Sequence, residues 1–258
     1  RAAAGPASRL LFPALVAVAA LALFAWFRHA YYDRNPAFMV DPEGIVIHGN
    51  ATLTREQVLQ TFGLDHPVNG FALVRSDIVA RLRRQSPLIK SVSMTFQPGR
   101  SLALRVDERT PLARLAKTSL PLVVDEEGVC FIYPRPRDAY PEIGGFDLPT
   151  DLMPGDRLPP QLHCMLRLIA AAASPDYHLP GSVERVFLLS DDADDGLAVT
   201  LRDGRKIDIA WPDMARERGA SDAMLRRLAN VGRALRSPAL EGKRHFNAMA
   251  PNAVSVSD

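Results

Sequence analysis

The sequence predicts an α+β protein: a single N-terminal transmembrane helix, then a β-α-α-β-β unit, then a mixed, mostly antiparallel β domain with two helices. Three observations predict it. Residues Leu10 to Phe27 read LLFPALVAVAALALFAWF, without a charged or polar side chain. Segments 92–96 and 102–106 alternate apolar and polar residues, the period of two that a strand with one buried face requires. Capped helical segments and Gly, Pro and Asp turn signals then divide the rest into short elements.

At about 1.5 Å per residue the apolar run spans roughly 27 Å, close to the hydrocarbon thickness of a bilayer. Leu11, Leu15, Leu21, Phe24 and Trp26 are its anchoring side chains, and Trp26, Tyr31 and Tyr32 sit where amphipathic rings favour the membrane interface. Pro13 is expected in the first turn, where a missing N–H costs little. A cleaved signal peptide is the competing reading, but the run meets Phe27, Arg28 and His29 rather than a small-x-small cleavage pattern. A buried core helix would carry a polar face. Arg1 and Arg9 precede the span while Arg28 and Arg34 follow it, so the flanking charges leave its orientation open. Because the chain begins at Arg1, residues 1–9 are expected to be a shortened stub of a longer N-terminus, the span 10–28, and residues 29–37 a linker.

Residues 38–108 form the first folded unit. Ile45-Val46-Ile47 is a short strand closed by Gly49-Asn50. In LTREQVLQTFGL, Thr54 and Gln57 have capping-box spacing, Leu53 and Val58 that of a hydrophobic staple, and Gly63 is a C-terminal stop. Val58, Leu59 and Phe62 make the buried face. A second helix is expected over Ser76 to Gln85, with Ile78, Val79 and Leu82 inward, Arg81, Arg83 and Arg84 in water, and Pro87 ending it. Val92, Met94 and Phe96 then face inward on one strand, Gln97-Pro98-Gly99-Arg100 turns, and Leu102, Leu104 and Val106 face inward on the next.

Residues 109–258 are the second unit. Leu122–Val124 and Val129–Ile132 flank the turn Asp125-Glu126-Glu127-Gly128 as a hairpin, and Pro134 to Pro160 reads as ordered loops with brief strands. A helix over Gln161 to Ala173 buries Leu162, Met165, Leu166 and Ile169. Strands follow at Val183–Leu189, Leu197–Arg202 and Lys206–Ala210, the last two joined through Asp203-Gly204. A second helix, Asp222 to Arg236, turns Leu225, Leu228, Val231 and Leu235 inward.

The formal net charge is +2, from 31 basic and 29 acidic residues, too even to imply a nucleic-acid partner. Arg226, Arg227 and Arg233 read as a solvated helix face. Cys130 and Cys164 have no metal-like spacing, and in an oxidising compartment they could pair or stay free. His163 beside Cys164 invites a metal or thiol reading, but both lie on a helix without further ligands. Asp191 to Gly196 has the look of a calcium loop, yet the places of two essential ligands hold Ala193 and Arg202. No nucleophile elbow, phosphate loop or dinucleotide fingerprint occurs, so no enzyme activity, cofactor, metal or small-molecule substrate is expected.

The order of elements and the phrases VIHGNATLTREQVL, SPLIKSVSMTFQPGRSLALRVDERTPLARL and LVVDEEGV resemble the POTRA domain and following segment of the FtsQ/DivIB family of bacterial cell-division proteins. The stretch Pro87 to Arg114, ending in Glu108-Arg109-x-Pro111-x-Ala113, carries most of the likeness. The closing FNAMAPNAVSV is similar to the family's terminal strand-turn-strand, although Asn247 and Met249 stand where an acidic and a basic residue are usual. The resemblance implies a POTRA domain over 38–108, an FtsQ-type β domain over 109–258, a cytoplasmic N-terminus and a body outside the plasma membrane at the division septum. It further implies a non-enzymatic scaffold that recruits FtsB/FtsL-like single-span proteins for septal peptidoglycan synthesis. Strand addition at Asn252, Ala253, Val254, Ser255 and Val256 is the expected contact, with Arg226 and Arg233 on the neighbouring helix beside it. Glu108 and Arg109 are expected to make polar contacts bridging the two units. The alternative is a POTRA-containing component of outer-membrane protein assembly or secretion.

Overall fold

The computed structural model describes residues 6–28, 31, 39–70, 73, 85–97, 101–149, 151–177, 179, 181–189, 196–210, 220–250 and 252–258. The chain divides into two compact units, Arg1–Glu108 and Arg109–Asp258.

In the first unit, helix α1 covers Pro6–Arg28. Pro6 occupies the start, where a missing N–H is harmless, so Pro13 falls inside the helix rather than in its first turn as expected. The described side chains of α1 begin at Leu15, and Leu15, Leu21, Phe24 and Trp26 are all exposed. Among the described residues no helix is long and apolar enough to cross a membrane. The span over Leu10 to Phe27 is therefore taken up below as a proposal; the side chain of Leu11 lies outside the described residues.

Strands β1 (Met39–Val40), β2 (Ile45–His48), β3 (Val68–Asn69), β4 (Ile89–Gln97) and β5 (Ser101–Glu108) follow, with helix α2 (Arg55–Phe62) between β2 and β3. The three-stranded sheet runs β2-β5-β4, with β2 parallel and β4 antiparallel to the central β5. The antiparallel pair β1–β3 was not foreseen, because two-residue strands are too short to show alternation. Both halves of the capping box form: Gln57 N–H donates to Thr54 Oγ1 at 3.2 Å and Thr54 N–H to Gln57 Oε1 at 2.9 Å. Gly63, at φ +65°, ends the helix by donating to the carbonyls of Leu59 and Gln60. Val58, Leu59 and Phe62 pack with Ile45, Leu102, Leu104 and Val106 as one buried cluster. Phe96 departs from its expected burial: it lies 53% exposed near the end of β4, facing Leu102 across the ladder. The expected helix Ser76 to Gln85, apart from its helical last residue, and the turn at 98–100 lie outside the described residues.

The second unit is built on a nine-stranded sheet. Its strands are β6 (Ala113–Leu115), β7 (Leu122–Val124), β8 (Cys130–Ile132), β9 (Glu142–Gly144), β10 (Val183–Leu188), β11 (Leu197–Leu201), β12 (Lys206–Ile209), β13 (His245–Ala248) and β14 (Ser255–Ser257). Their spatial order is β14-β13-β12-β11-β10-β9-β6-β7-β8. Three contacts, β6–β9, β9–β10 and β12–β13, are parallel and the rest antiparallel. Helices α3 (His163–Ala173) and α4 (Ala220–Leu235) pack against each other, α3 on β10 and α4 on β12 and β13. The core side of α4 centres on Met224, Leu228 and Val231, with the expected Leu225 and Leu235 at its flanks, half-buried. Arg227 is also half-buried rather than solvated, its Nε shielded from water.

Cys130 and Cys164 are both buried, and neither is in a disulfide. His163 packs against the Asp125-to-Gly128 turn so closely that a Cβ on Gly128 would lie 2.5 Å from its Nε2. The acidic run 191–195 lies outside the described residues.

Candidate partner-binding edge

A sheet has two edges, and here they are treated differently. At the β8 edge the chain covers the start of its own strand. Cys130 N–H donates to Asp156 O at 2.8 Å, Gly155 N–H donates to Cys130 O at 2.7 Å, and Val129 bridges Arg157. At the other edge, β14 pairs with β13 alone, and among the described residues no strand lies on its outer side. An edge left in that state presents unpaired N–H and C=O groups to another chain.

The side chains tell the same story. One register row crosses the sheet through Leu115, Ile143, Val186, Val199, Ile207, Phe246 and Val256. From Leu115 to Phe246 every member is at most 1% exposed, whereas Val256 is half-buried. Val254 and Val256 both pack against the core while keeping part of their surface in water. The apolar layer therefore stops one strand short of closure.

The strand expected at Asn252 to Val256 is shorter and later than the sequence suggests. Asn252, Ala253 and Val254 make the turn out of β13, and the strand itself is Ser255–Ser257. The turn follows Ala250, and the pairing Asn247↔Ser255 sets how much chain it must use. Asn247 and Met249 have local roles: Asn247 Oδ1 accepts from Met249 N–H at 3.0 Å, and Met249 Sδ lies beside Gly196, where a Cβ would come within 3.0 Å. Arg226 and Arg233 are exposed on α4, whose sheet neighbours are β12 and β13. Arg233 donates to Asn230 on its own helix.

The opposite face of the same strands carries a polar relay that the sequence did not announce. His245 Nε2 lies 2.6 Å from Asp208 Oδ2, and its Nδ1 is 3.5 Å from Ser257 Oγ. The three residues come from adjacent strands, so only the register joins them. Their order is that of a hydrolase relay, but the serine contact is at the outer limit of a hydrogen bond and sits on an open sheet face. Its effect is to tie β14 through β13 to β12. Below α4's end, a cavity of about 540 Å³ is lined by Arg205, Leu235, Leu240, Lys243 and Arg244, among others. Arg205 holds the Asp203 carboxyl below its usual range, and Lys243 Nζ pairs with Asp258 at 2.6 Å. Among the described residues no group of His, Cys, Asp and Glu is placed to hold a metal ion.

Glu108 and Arg109, expected to bridge the units, each have described partners within their own unit. Glu108 accepts from the backbone N–H groups of Thr52 and Leu53, at 2.9 to 3.1 Å. Arg109, 9% exposed, pairs with Asp125 and Glu127 in the hairpin turn. Asp125 in turn accepts from Glu127 and Val129 N–H through its other oxygen.

Residues 41–109, the segment holding β2, α2, β4 and β5, match the family model for the POTRA domain, FtsQ-type. The chain carries an FtsQ-type POTRA domain. It is also 31% identical over 97 residues to the cell division protein FtsQ of Jannaschia sp. (strain CCS1). That alignment takes in 38% of this chain and 30% of the relative, so the chain spans under a third of the curated relative it matches. The two findings support the FtsQ/DivIB resemblance, with the POTRA segment as its firmest part.

Proposed function

We propose that the protein is a non-enzymatic, single-span membrane scaffold of the bacterial division machinery. It links FtsB/FtsL-like single-span proteins to septal peptidoglycan synthesis, and its contact is strand addition at β14. The carrying observation is the contrast between the two sheet edges, one covered at its start by the 155–158 segment and one ending on the half-buried Val256. A partner strand beside Ser255–Ser257 gains main-chain hydrogen bonds and supplies the apolar side chain that the row lacks. Such binding depends little on side chains, which is compatible with Asn247 and Met249 in place of charged residues.

The anchor reading rests on α1, whose 23 residues extend for about 34 Å and expose Leu15, Leu21, Phe24 and Trp26. A tether in the membrane, with the N-terminus cytoplasmic and residues 38–258 outside, confines them beside other single-span proteins and raises effective concentration without new contacts. Pull-down of the membrane-embedded protein, compared with the chain truncated after Ala250, tests the strand contact. Partners that survive truncation would show it to be wrong. Depletion that spares septation but removes outer-membrane proteins would favour the assembly or secretion role instead.

A further inference from the structure

Four arginines gather on the face of the second sheet opposite its helices. Arg114 on β6, Glu142 on β9 and Arg185 on β10 stand in one register row. Arg114 Nη1 pairs with the Glu142 carboxylate, and Arg185 Nε lies 3.6 Å from its other oxygen. Arg137 enters from the 3-10 turn Arg137–Ala139 and donates from Nη2 to Leu115 O at 2.9 Å. Arg202, one residue beyond β11, donates from Nη2 to the carbonyls of Asp138 and Ala139, both at 3.2 Å. The cluster thus wraps the 137–142 segment.

Among the described residues its charges do not balance. Arg114 and Arg185 share one carboxylate, that of Glu142, while Arg137 and Arg202 spend donors on main-chain oxygens. Those bonds orient a guanidinium without neutralising it. The Nε atoms of Arg114 and Arg137 are buried without a hydrogen-bond partner, a costly state for a charged donor. Phe187 lies on the same face, its ring centroid 5.4 Å from the Arg185 guanidinium. Towards β8 this face carries rings, the buried Phe131 edge-on to the half-buried Tyr133 and Tyr133 edge-on to Tyr140. From β9 to β11 it holds exposed Arg185 and Arg202.

We propose that this face is a docking surface for an acidic, extended segment of a partner protein, its carboxylates engaging Arg185 and Arg202. Charge complementarity selects the occupant. Guanidinium forks match carboxylate and phosphate alike, but Arg202 is fixed by two carbonyls and Arg185 lies beside the Phe187 ring on a flat sheet face, a surface that an extended peptide can follow. Glu142 is only 15% exposed, so it orders the arginines from below rather than competing at the surface. Three strand spacings of about 4.8 Å separate β11 from β14, so this surface stands off from the open edge by about 14 Å at its nearest strand.

The test uses the full chain in phosphatidylcholine nanodiscs and a fluorescent peptide of about ten residues alternating Glu and Thr, long enough at about 3.3 Å per residue to cross several strands. Anisotropy should show binding that weakens with salt and falls at least about tenfold when every Glu becomes Gln. Arg185→Glu and Arg202→Glu should each reproduce that loss with an unchanged thermal midpoint; Arg185→Gln serves if a reversal unfolds the chain. Truncation after Ala250 should leave peptide binding intact, which separates this surface from the β14 edge. Equal binding of the Gln peptide, or insensitivity to the arginine substitutions in folded protein, would overturn the proposal. Release of the bound peptide by the water-soluble glycerophosphoglycerol headgroup, at concentrations where free glutamate has no effect, would also overturn it, in favour of a lipid headgroup.

Discussion

Phe246 and Val256 face each other across the last ladder of the nine-stranded sheet, the first 1% exposed and the second only half-buried. The residues differ in what lies beyond them: among the described residues Phe246 has strands on both sides, and Val256 has one. The row is apolar from β6 to β14, so the same side-chain chemistry is used at a filled position and at an unfilled one.

Replacing Val256 by Asp should therefore separate binding from folding. Because the site is half-open, the carboxylate can remain hydrated in the free protein, and the thermal midpoint should move by no more than a few degrees. Arrival of a partner strand would strip that water at several kcal/mol of opposing cost. Co-purification of single-span partners from solubilised membranes should drop at least about tenfold. Undiminished capture by a folded V256D chain would exclude the row end as the contact.

Arg109 and Asp125 form a buried pair that anchors the first residue of the second unit to its first hairpin turn. Arg109→Ala strands Asp125, 3% exposed, with its remaining bonds to N–H groups and no cation. Loss of one member of such a pair costs about 3–5 kcal/mol. Denaturant unfolding monitored at this unit should show it. The double variant Arg109→Met, Asp125→Leu should recover part of the loss, since it leaves no unpaired charge.

In the first unit, Thr54→Ala removes the acceptor of the Gln57 N–H bond and the reciprocal box with it. The expected loss is about 1 kcal/mol. Gly63→Ala should cost a similar amount, because φ +65° is a conformation that a Cβ resists. The two sites cap opposite ends of the eight-residue α2, and equilibrium unfolding of the double variant should show near-additive losses.

Most elements were legible because each carries a local signature. The capping box at Thr54, the stop at Gly63 and the alternation in β5 fix α2 and the second strand of the hairpin without reference to anything distant. The departures all depend on what lies across space. Phe96 fits the alternation but sits near a strand end, where the pattern says nothing about cover. The strand at 252–256 was placed by its apolar letters, yet the chain needs Asn252 to Val254 to reverse direction before pairing can begin. The Asp208–His245–Ser257 relay and the arginine cluster around Glu142 join residues far apart in sequence, so only strand order and register bring them together. For Glu108 and Arg109 adjacency suggests a bridge, whereas the partners described, Thr52 and Leu53 for one and Asp125 and Glu127 for the other, are fixed by turns far off in sequence.

The buried thiols give a pH-dependent prediction. Burial, reinforced by the carboxylates of Asp156 and Asp125, pushes the Cys130 thiol from 9.0 up to about 12, and burial pushes Cys164 up as well. The folded chain thus holds these protons where the unfolded chain releases them. Their contribution is fully present below about pH 9 and is lost as pH rises towards 12, because the unfolded state then binds fewer protons than the folded one. Urea midpoints of the wild type should fall between pH 9 and pH 11 more steeply than those of Cys130→Ala, which has no such proton to lose. At neutral pH neither thiolate is available, so alkylation of native protein by iodoacetamide should be slow and should accelerate only on unfolding. Rapid alkylation of native Cys130, with the fold intact by circular dichroism, would contradict its burial behind the 155–158 segment.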